Sequence, residues 1–460
     1  MRRKISVMGA RLLVVFVLLG LTVSLTVPAQ AASEEDIQTA INDGIAWLVA
    51  QQNPDGSWGT FDQVGTTALA VKKLEHHCVD TKWGLGLPSP FDTACPYSDN
   101  ITNGFNYIFA NACNISISAQ PAGNPDSDND GIGVYFADGG CGGNHATYCT
   151  GIALMAIAES VAPDRIVNAP GSPVNGWTYY DVAVDAVDYL AFGQNDAGNE
   201  TGGWGYDAND VGWSDNSNTG YAVLGLQYAQ EPPPEGFSIP IPQFVKDELC
   251  IWVEYIQCDP TDSGWDASLD GGSGYGSGIG YGPCYWCNVL KTGHLLKEME
   301  FAGGDCGREQ AAIDYLVRHW GDDADPGWRP NHYQAMYTIM KGLVATGHID
   351  PAVIDGIYWQ DDFDDAIVAQ QEVGGNWSGC PTFCWPPDEL GDCPTADDIL
   401  CTEWALLTLQ KVTPPPPPPP PPTPPGIPSL SQWGVVIMAG LFAGLLVWTV
   451  RRRTSAAGKR

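Results

Sequence analysis

The sequence predicts an all-α fold, an α/α toroid of six helical hairpins, and two observations predict it. An apolar helical segment repeatedly ends in a polar Gly turn closed by Trp, as in Gly56-Ser57-Trp58. Each turn is followed by a second helical segment rich in Ala, Leu and Gly. From Trp204 onward the Trp positions advance by 61, 63 and 49 residues. A period of about 50–60 residues is typical of helical hairpins that stack to bury a shared core.

Related turns mark the other hairpins. They occur at Gly203-Trp204, Gly264-Trp265, Gly327-Trp328 and Gly375-Asn376-Trp377, with a Trp-less relative around Gly139-Gly140-Cys141. Apolar residues at helical spacing locate the first helices, at Ile37–Gln52, Ile101–Ala110, Val182–Phe192, Val245–Ile256, Glu309–His319 and Asp364–Gln371. The second helices are predicted at Thr66–Leu74, Cys149–Glu159, Thr219–Tyr228, Cys287–Met299, His332–Val344 and Ile399–Leu409.

The small residues of the second helices allow close helix packing, so we expect these helices to form an inner ring. Six hairpins can close into a toroid that leaves no unpaired end. An open solenoid is the alternative, but it would need polar capping repeats that the sequence does not display. We therefore predict one toroidal ectodomain over residues 36–411.

Residues 1–31 have the pattern of a secretory signal peptide. Arg2, Arg3 and Lys4 precede an apolar run over residues 12–27, and Ala29-Gln30-Ala31 provides a small-residue cleavage site. A first transmembrane helix is the alternative. The signal predicts export of the chain.

The C-terminal end has three parts. Residues 412–426 form a Pro-rich spacer that favours polyproline II, with unbroken proline over 414–422. An apolar helix within residues 427–453 would span about 27 Å, close to a bilayer core of ~30 Å. Arg451-Arg452-Arg453 then predicts a cytoplasmic tail over residues 454–460. The precursor is thus expected to cross the membrane once.

This tail resembles the IPTL-CTERM sorting signal of Gram-negative bacteria. The resemblance rests on Ile427-Pro428-Ser429-Leu430, the apolar helix and the Arg triplet, although Ser429 stands where the family usually has Thr. It implies an exosortase-type sorting enzyme as a partner and a place in the cell envelope. Cleavage and retention of the anchor both stay open.

The ectodomain is strongly acidic and rich in cysteine. It holds all 54 Asp and Glu but only 12 of the 21 Lys and Arg, a net charge of −42. Such a surface repels nucleic acid, and it lacks the basic cradle that a nucleotide or diphosphate needs. All 14 Cys also lie here, which predicts disulfides in an exported chain, with Cys141/Cys149, Cys250/Cys258 and Cys284/Cys287 as close pairs.

The turn over residues 51–59 resembles the repeat of terpenoid cyclases and protein prenyltransferases. Similar motifs occur at Gly202-Gly203-Trp204-Gly205 and over residues 371–377. The resemblance spans essentially the whole ectodomain and implies the α/α toroid. It also implies structural roles for the turn residues, with Gln tying helix ends together and Trp stacking against the neighbouring repeat.

The catalytic motifs of these families are absent or displaced. Asp362-Phe363-Asp364-Asp365 has the D-x-D-D spelling of class II cyclases, but it lies on a first helix, before the Gly-Trp turn. The D-x-C zinc ligands of prenyltransferases are missing near His145, so we expect no zinc. Complement-type thioester domains carry C-G-E-Q, whereas Cys306-Gly307-Arg308-Glu309-Gln310 is one residue too long.

An acidic loop predicts calcium binding. Asp126, Asp128 and Asp130 alternate, and Gly131 takes the sixth place, as at the start of a calcium loop. The Glu expected at the twelfth place is replaced by Ala137, although Asp138 follows. A flexible acidic loop is the equal alternative.

The starts of the inner helices are expected to converge on the toroid mouth. The candidate ligand-binding residues there are Asp62, His145, Tyr148, Asp215, Tyr285, Trp286, His332, Tyr333 and Glu403. Carboxylates beside aromatic rings favour a glycan ligand. The leading hypothesis is a non-catalytic binding or surface-structural protein. The alternative is a glycan-acting hydrolase or lyase that uses Asp215, Asp398 and Glu403, since glycan cleavage needs two carboxylates.

Overall fold

A computed structural model describes residues 31–411, apart from 61, 211, 278–281, 305, 324–325, 330, 350 and 382–395. The signal peptide expected over residues 1–31 lies almost entirely outside the described residues. The Pro-rich spacer, the C-terminal helix and the cytoplasmic tail lie wholly outside them. No helix of the described part is both long and apolar enough to cross a membrane.

Six hairpins build the described chain, and each contributes one outer and one inner helix. The outer helices are α1 (Glu34–Ala50), α3 (Ser98–Ala110), α5 (Tyr179–Gly193), α7 (Gln243–Ile256), α9 (Glu309–Arg318) and α11 (Trp359–Ala369). The inner helices are α2 (Gln63–Val79), α4 (Ala146–Glu159), α6 (Asn216–Gln230), α8 (Val289–Ala302), α10 (Tyr333–Ala345) and α12 (Asp398–Leu409). All twelve begin and end within five residues of the predicted bounds.

The inner helices form a closed ring. In chain order each packs against the next, from α2 through α4, α6, α8 and α10 to α12, and α12 packs back against α2. The outer helix α1 completes the closure by contacting α11 and α12. The predicted toroid of six hairpins is confirmed, and a closed ring needs no capping repeats.

Small residues set the spacing of the inner ring, as predicted. A Cβ added to Gly225 of α6 would lie 2.5 Å from the carbonyl oxygen of Gly151 on α4. A Cβ added to Gly342 of α10 would lie at the same distance from the carbonyl oxygen of Gly293 on α8. Any larger side chain would force these helix pairs apart, because backbone cannot yield as a flexible side chain can.

The Trp of the repeated turn ties the two helices of its hairpin together. The Trp58 indole N–H donates to the Leu48 carbonyl at the end of α1 (2.8 Å), and the Trp58 backbone N–H donates to the Thr67 hydroxyl on α2 (2.9 Å). Trp204 and Trp377 repeat both bonds in their own hairpins. All three rings are fully buried. These bonds give the Trp residues a structural role inside their own hairpin, whereas the resemblance implied stacking against the neighbouring repeat.

Two hairpins fill the Trp position with another residue. Phe136 donates its backbone N–H to Thr150 in the second hairpin, and Ser273 donates to Thr292 in the fourth. Neither Gly139-Gly140-Cys141 nor Gly264-Trp265 is therefore the equivalent turn, and Trp265 is 37% exposed. Counting Trp positions misassigned these turns because the bond to the inner-helix Thr uses backbone and accepts any side chain.

In the described structure, a Gln at the turn links four of the six hairpins to the next one. The Gln52 amide donates to the Gly56 carbonyl of its own turn and to the Asn100 carbonyl in α3. Gln194 and Gln257 make the corresponding pairs of bonds. Gln371 donates to Ala40 in α1 at 2.8 Å and so joins the last hairpin to the first. The resemblance implied this role, and the bonds confirm it.

A short antiparallel pair of strands interrupts the second hairpin. Strand β1 (Ala112–Ser116) pairs with β2 (Ile132–Phe136), and Cys113 faces Tyr135 across the pair. The sequence analysis predicted no strand here. The pair carries the acidic loop over residues 126–131 and presents it next to α5, which β2 contacts.

Four disulfides lie in the described part of the chain. They join Cys78 to Cys95, Cys113 to Cys141, Cys258 to Cys284 and Cys380 to Cys401. The prediction of disulfides is confirmed, but the close pairs proposed from sequence were wrong. Partners separated by 17 to 28 residues meet because the helical hairpins bring distant loops together.

Candidate functional site

A cavity of about 500 Å³ opens among the N-terminal ends of the inner helices. Its lining comes from the hairpins that contain α2, α4, α6, α10 and α12, so it lies at the predicted mouth of the toroid. The lining residues are Thr60, Asp62, Gly65, Thr66, Leu69, His145, Tyr148, Ile152, Tyr206, Ser217, Asn218, Gln334, Ala396, Asp397, Leu400 and Trp404. The volume falls within the range of about 300–1,000 Å³ that is usual for small-molecule sites.

Asp62 and His145 form a bonded pair at one side of the cavity. The Asp62 carboxylate lies 2.7 Å from His145 Nδ1, and this hydrogen bond raises the pKa of the imidazole above its ordinary value. Both residues directly precede an inner helix and adopt left-handed backbone, with φ of 43° and 62°. Such backbone costs roughly 1–3 kcal/mol per residue and clusters at functional sites.

Asp138 takes over the capping of α2. The Asp62 side chain makes no cap bond to its own helix, whereas the Asp138 carboxylate accepts from the backbone N–H groups of Gln63 and Val64. The orphan donors of the helix start are thereby satisfied from the neighbouring hairpin. This arrangement leaves the Asp62 carboxylate available to His145 and the cavity.

Buried polar groups without partners lie around the cavity floor. Gln334 Oε1, Asn218 Oδ1 and the Trp404 indole N–H are buried and have no hydrogen-bond partner among the described residues. Gln334 and Trp404 approach the hydroxyl of Tyr221, whose ring lies 4.4 Å from that of Tyr148. Since buried polar atoms in folded proteins are nearly always bonded, the Tyr221 hydroxyl is the partner within reach of Gln334 and Trp404, whereas Asn218 Oδ1 has none among the described residues.

Three of the predicted ligand-binding residues, Asp62, His145 and Tyr148, line this cavity together. Asp215 does not: it is fully buried and caps α6 by accepting from the backbone N–H groups of Ser217 and Asn218. Its second oxygen accepts from the Trp213 indole and the Asn218 amide. Every oxygen of Asp215 is engaged in holding the helix start.

The other two candidate catalytic carboxylates also lie outside the lining. Glu403 is fully buried on α12, where burial raises the pKa of its carboxyl group well above the ordinary value. Both Glu403 oxygens lack a hydrogen-bond partner in the described structure. Asp398 is exposed in the first turn of α12.

The aromatic candidates of the later hairpins form other contacts. The centroids of the Trp286 and Tyr275 rings lie 5.0 Å apart, and the Lys291 ammonium lies 4.1 Å from the centroid of the Trp286 ring. Tyr285 is exposed next to it. His332 and Tyr333 are buried at the start of α10. None of these four candidates contributes to the cavity lining.

The remaining motifs singled out in the sequence lie outside the cavity lining. Asp362, in the D-x-D-D segment, accepts from the Trp320 indole and pairs with Arg329 on the outer face of the ring. Cys284 of the C-x-x-C segment is in a disulfide, and Cys287 is a buried thiol. The acidic residues Asp126, Asp128 and Asp130 lie in the loop between β1 and β2.

Sequence reasoning missed several lining residues. Asp397, the N-cap of α12, lines the cavity one position before the candidate Asp398. Tyr206, Gln334 and Trp404 were not singled out either. A helix-cap pattern could have selected Asp397, because Asp is favoured immediately before a helix. Nothing in the local sequence distinguishes Trp404 from a core residue.

Comparisons with known proteins identify the C-terminal segment. Residues 425–453 match the IPTL-CTERM motif. No curated protein sequence matches the chain. Among solved structures, a GH76 α-mannanase of Bacteroides thetaiotaomicron shares 11% identity at a TM-score of 0.48, over 82% of this chain and 95% of that one. A protein from Actinoplanes shares 12% identity at a TM-score of 0.31, over 82% and 99%. The terminal motif supports an exported protein that is anchored in the cell envelope.

Proposed function

We propose that the protein is a non-catalytic binding protein of the cell envelope that captures the end of a glycan in the mouth cavity. The observation that carries the proposal is a cavity lining that combines aromatic and apolar side chains with the polar side chains of Asp62, His145, Asn218 and Gln334. Each sugar hydroxyl can donate and accept at once, so adjacent hydroxyls suit a lining that mixes a carboxylate, an imidazole and amides.

The walls of the cavity suit the same ligand. Leu69, Ile152 and Leu400 supply apolar surface, and Tyr148 and Tyr206 supply aromatic rings. Sugar rings present C–H groups on their faces and hydroxyls around their edges. A mainly apolar cavity with a few convergent polar groups fixes the orientation of such a ligand.

Glycan cleavage is the alternative, and one observation favours it. Asp62 and Asp397 both line the cavity, and a pair of carboxylates is the usual requirement of glycoside hydrolysis. Both groups already have partners, however. Asp62 is hydrogen-bonded to His145, and Asp397 accepts from the backbone N–H of Leu400 at 2.9 Å. Binding without turnover is therefore the better-supported function.

Binding by the purified full-length protein can be measured by calorimetry with a panel of neutral oligosaccharides built from hexoses and N-acetylhexosamines. A bound oligosaccharide should lose roughly tenfold in affinity with Trp404→Phe, because one buried hydrogen bond is removed while the aromatic ring remains. Gln334→Met removes the neighbouring acceptor and should have a similar effect.

Trp265→Phe is the matched control, since Trp265 is partly exposed and lies outside the lining. Its affinity should equal that of the wild type. Failure of every oligosaccharide to bind, or equal losses in Trp404→Phe and Trp265→Phe, would contradict the proposal.

A further inference from the structure

The acidic loop over residues 126–131 meets carboxylates that the sequence analysis did not connect with it. The loop lies against α5, where the backbone N–H of Ser127 donates to Asp188 Oδ2 at 2.9 Å. Carboxylate oxygens of Asp128, Asp185 and Asp188 all lie within 4.8 Å of one another. The same limit holds for Asp126, Asp128 and Asp130, so Asp128 belongs to both groups.

The two carboxylates on α5 are buried, although α5 is an outer helix. Asp185 is 2% exposed and Asp188 is 0% exposed. Asp185 Oδ2 and Asp188 Oδ1 are both buried without a hydrogen-bond partner in the described structure. Burying an ionised carboxylate is costly unless it is paired or coordinates a metal.

Among the described residues, no basic side chain forms an ion pair with this group. None of the ion pairs recorded among the described residues involves any of the five aspartates. In the described part of the chain, the donor recorded for the two buried carboxylates is Ser127, which donates its backbone N–H to Asp188.

We propose that Asp128, Asp185 and Asp188 bind a calcium ion, with Asp126 and Asp130 adding oxygens from the loop. Calcium takes six to eight oxygen ligands, and the Asp126-Ser127-Asp128-Asn129-Asp130-Gly131 segment provides them at the first, third and fifth places of a calcium loop. Left-handed backbone at Asn129 and Gly131 turns the segment back on itself, with φ of 68° and 79°.

The carboxylates of α5 replace the missing twelfth ligand of the loop. Ala137 stands at that place, and the next residue, Asp138, is already engaged in capping α2. Asp185 and Asp188 are three residues apart on one helix and so project from the same face. The ion would fasten the second hairpin to the third, and β2 leads from this site towards Asp138, which caps α2.

Calcium binding can be measured by calorimetry on the full-length protein after removal of divalent ions with EDTA. The wild type should bind calcium and melt at a higher temperature when calcium is present, because the ion binds only the folded state. Asp185→Asn and Asp188→Asn should each lower calcium affinity by at least about tenfold, since each removes a charged ligand. In EDTA both variants should melt at or above the wild-type temperature, because each removes one buried negative charge from a group of carboxylates that repel one another.

Asp43→Asn is the matched control, as it removes one exposed charge from α1. It should bind calcium as the wild type does. Should the buried variants fail to fold, Asp128→Asn tests the same site because its side chain is exposed. Absence of calcium binding to the wild type, preference for magnesium, or equal affinities in Asp128→Asn and Asp43→Asn would overturn the proposal.

Discussion

The carboxylate of Asp62 lies 2.7 Å from Nδ1 of His145, and the two residues come from adjacent hairpins, 83 positions apart. Each occupies the residue before an inner helix in left-handed backbone. Neither caps its own helix with its side chain. The two side chains at these helix starts therefore face the cavity and do not cap their own helices.

This pair predicts a pH dependence. Because Asp62 raises the pKa of His145, the folded state holds the proton more tightly than the unfolded state. The contribution of the pair to stability is fully present below the ordinary imidazole pKa of 6.5 and is lost as the pH rises through the higher folded value. An NMR titration should give His145 a pKa above 6.5, and Asp62→Asn should lower it. An unchanged pKa in Asp62→Asn, compared with Asp43→Asn, would contradict the assignment.

The absence of turnover is a separate prediction. We expect the wild type to release no product from any oligosaccharide that it binds, as measured by mass spectrometry after long incubation. If product appears, Asp62→Asn and Asp397→Asn decide whether the cavity is responsible, since both residues line it. If either substitution abolishes turnover while the melting temperature is preserved, the protein cleaves glycans and the non-catalytic proposal is wrong. Asp215→Asn would instead destabilise the protein, because an amide nitrogen in place of Oδ2 cannot accept the hydrogen bonds from the Trp213 indole and the Asn218 amide.

A fifth disulfide is expected between Cys250 and Cys306. Their thiols adjoin, and burial raises the pKa of Cys306 to about 12. In an oxidising compartment a disulfide-exchange oxidant can accept the two electrons that the thiols release, and the resulting bond would join α7 to the segment before α9. Mass spectrometry of the exported protein without reduction should find this cross-link beside the four others. Reactive Cys250 and Cys306 in the denatured, unreduced protein would show that it does not form.

Closure of the ring is expected to contribute measurably to stability. Gln371 joins the last hairpin to α1 through Ala40, and Gln371→Ala removes this bond together with the bond to Gly375. We expect a loss of about 1–3 kcal/mol in the free energy of unfolding, because buried carbonyls are left without donors. Gln243→Ala is the control, since Gln243 bonds only to exposed Asp247 within α7 and should cost less than about 0.5 kcal/mol. Equal losses of unfolding free energy in Gln371→Ala and Gln243→Ala, measured by denaturant titration, would contradict a contribution of Gln371 to ring closure.

The helices of this protein could be predicted because their signals are local. Apolar spacing and Gly turns placed the twelve helices of the six hairpins that the structure describes, and the small residues of the second helices indicated the inner ring. Residues directly before the inner helices also supplied Asp62 and His145, since helix starts in a closed ring must face one rim. The bond of Trp58 to Thr67 and its repeats explain why the turn pattern recurs.

Tertiary structure alone decided which of these helix starts reach the cavity and which act as caps. Asp215 and Asp62 both precede an inner helix in the sequence. Asp215 caps its own helix α6, whereas Asp138 caps α2 and leaves the Asp62 carboxylate to His145. It also decided the disulfide partners and the burial of Asp185 and Asp188. These features depend on contacts between residues far apart in the chain, and a periodic sequence fixes the repeated unit without fixing how neighbouring units fill the space between them.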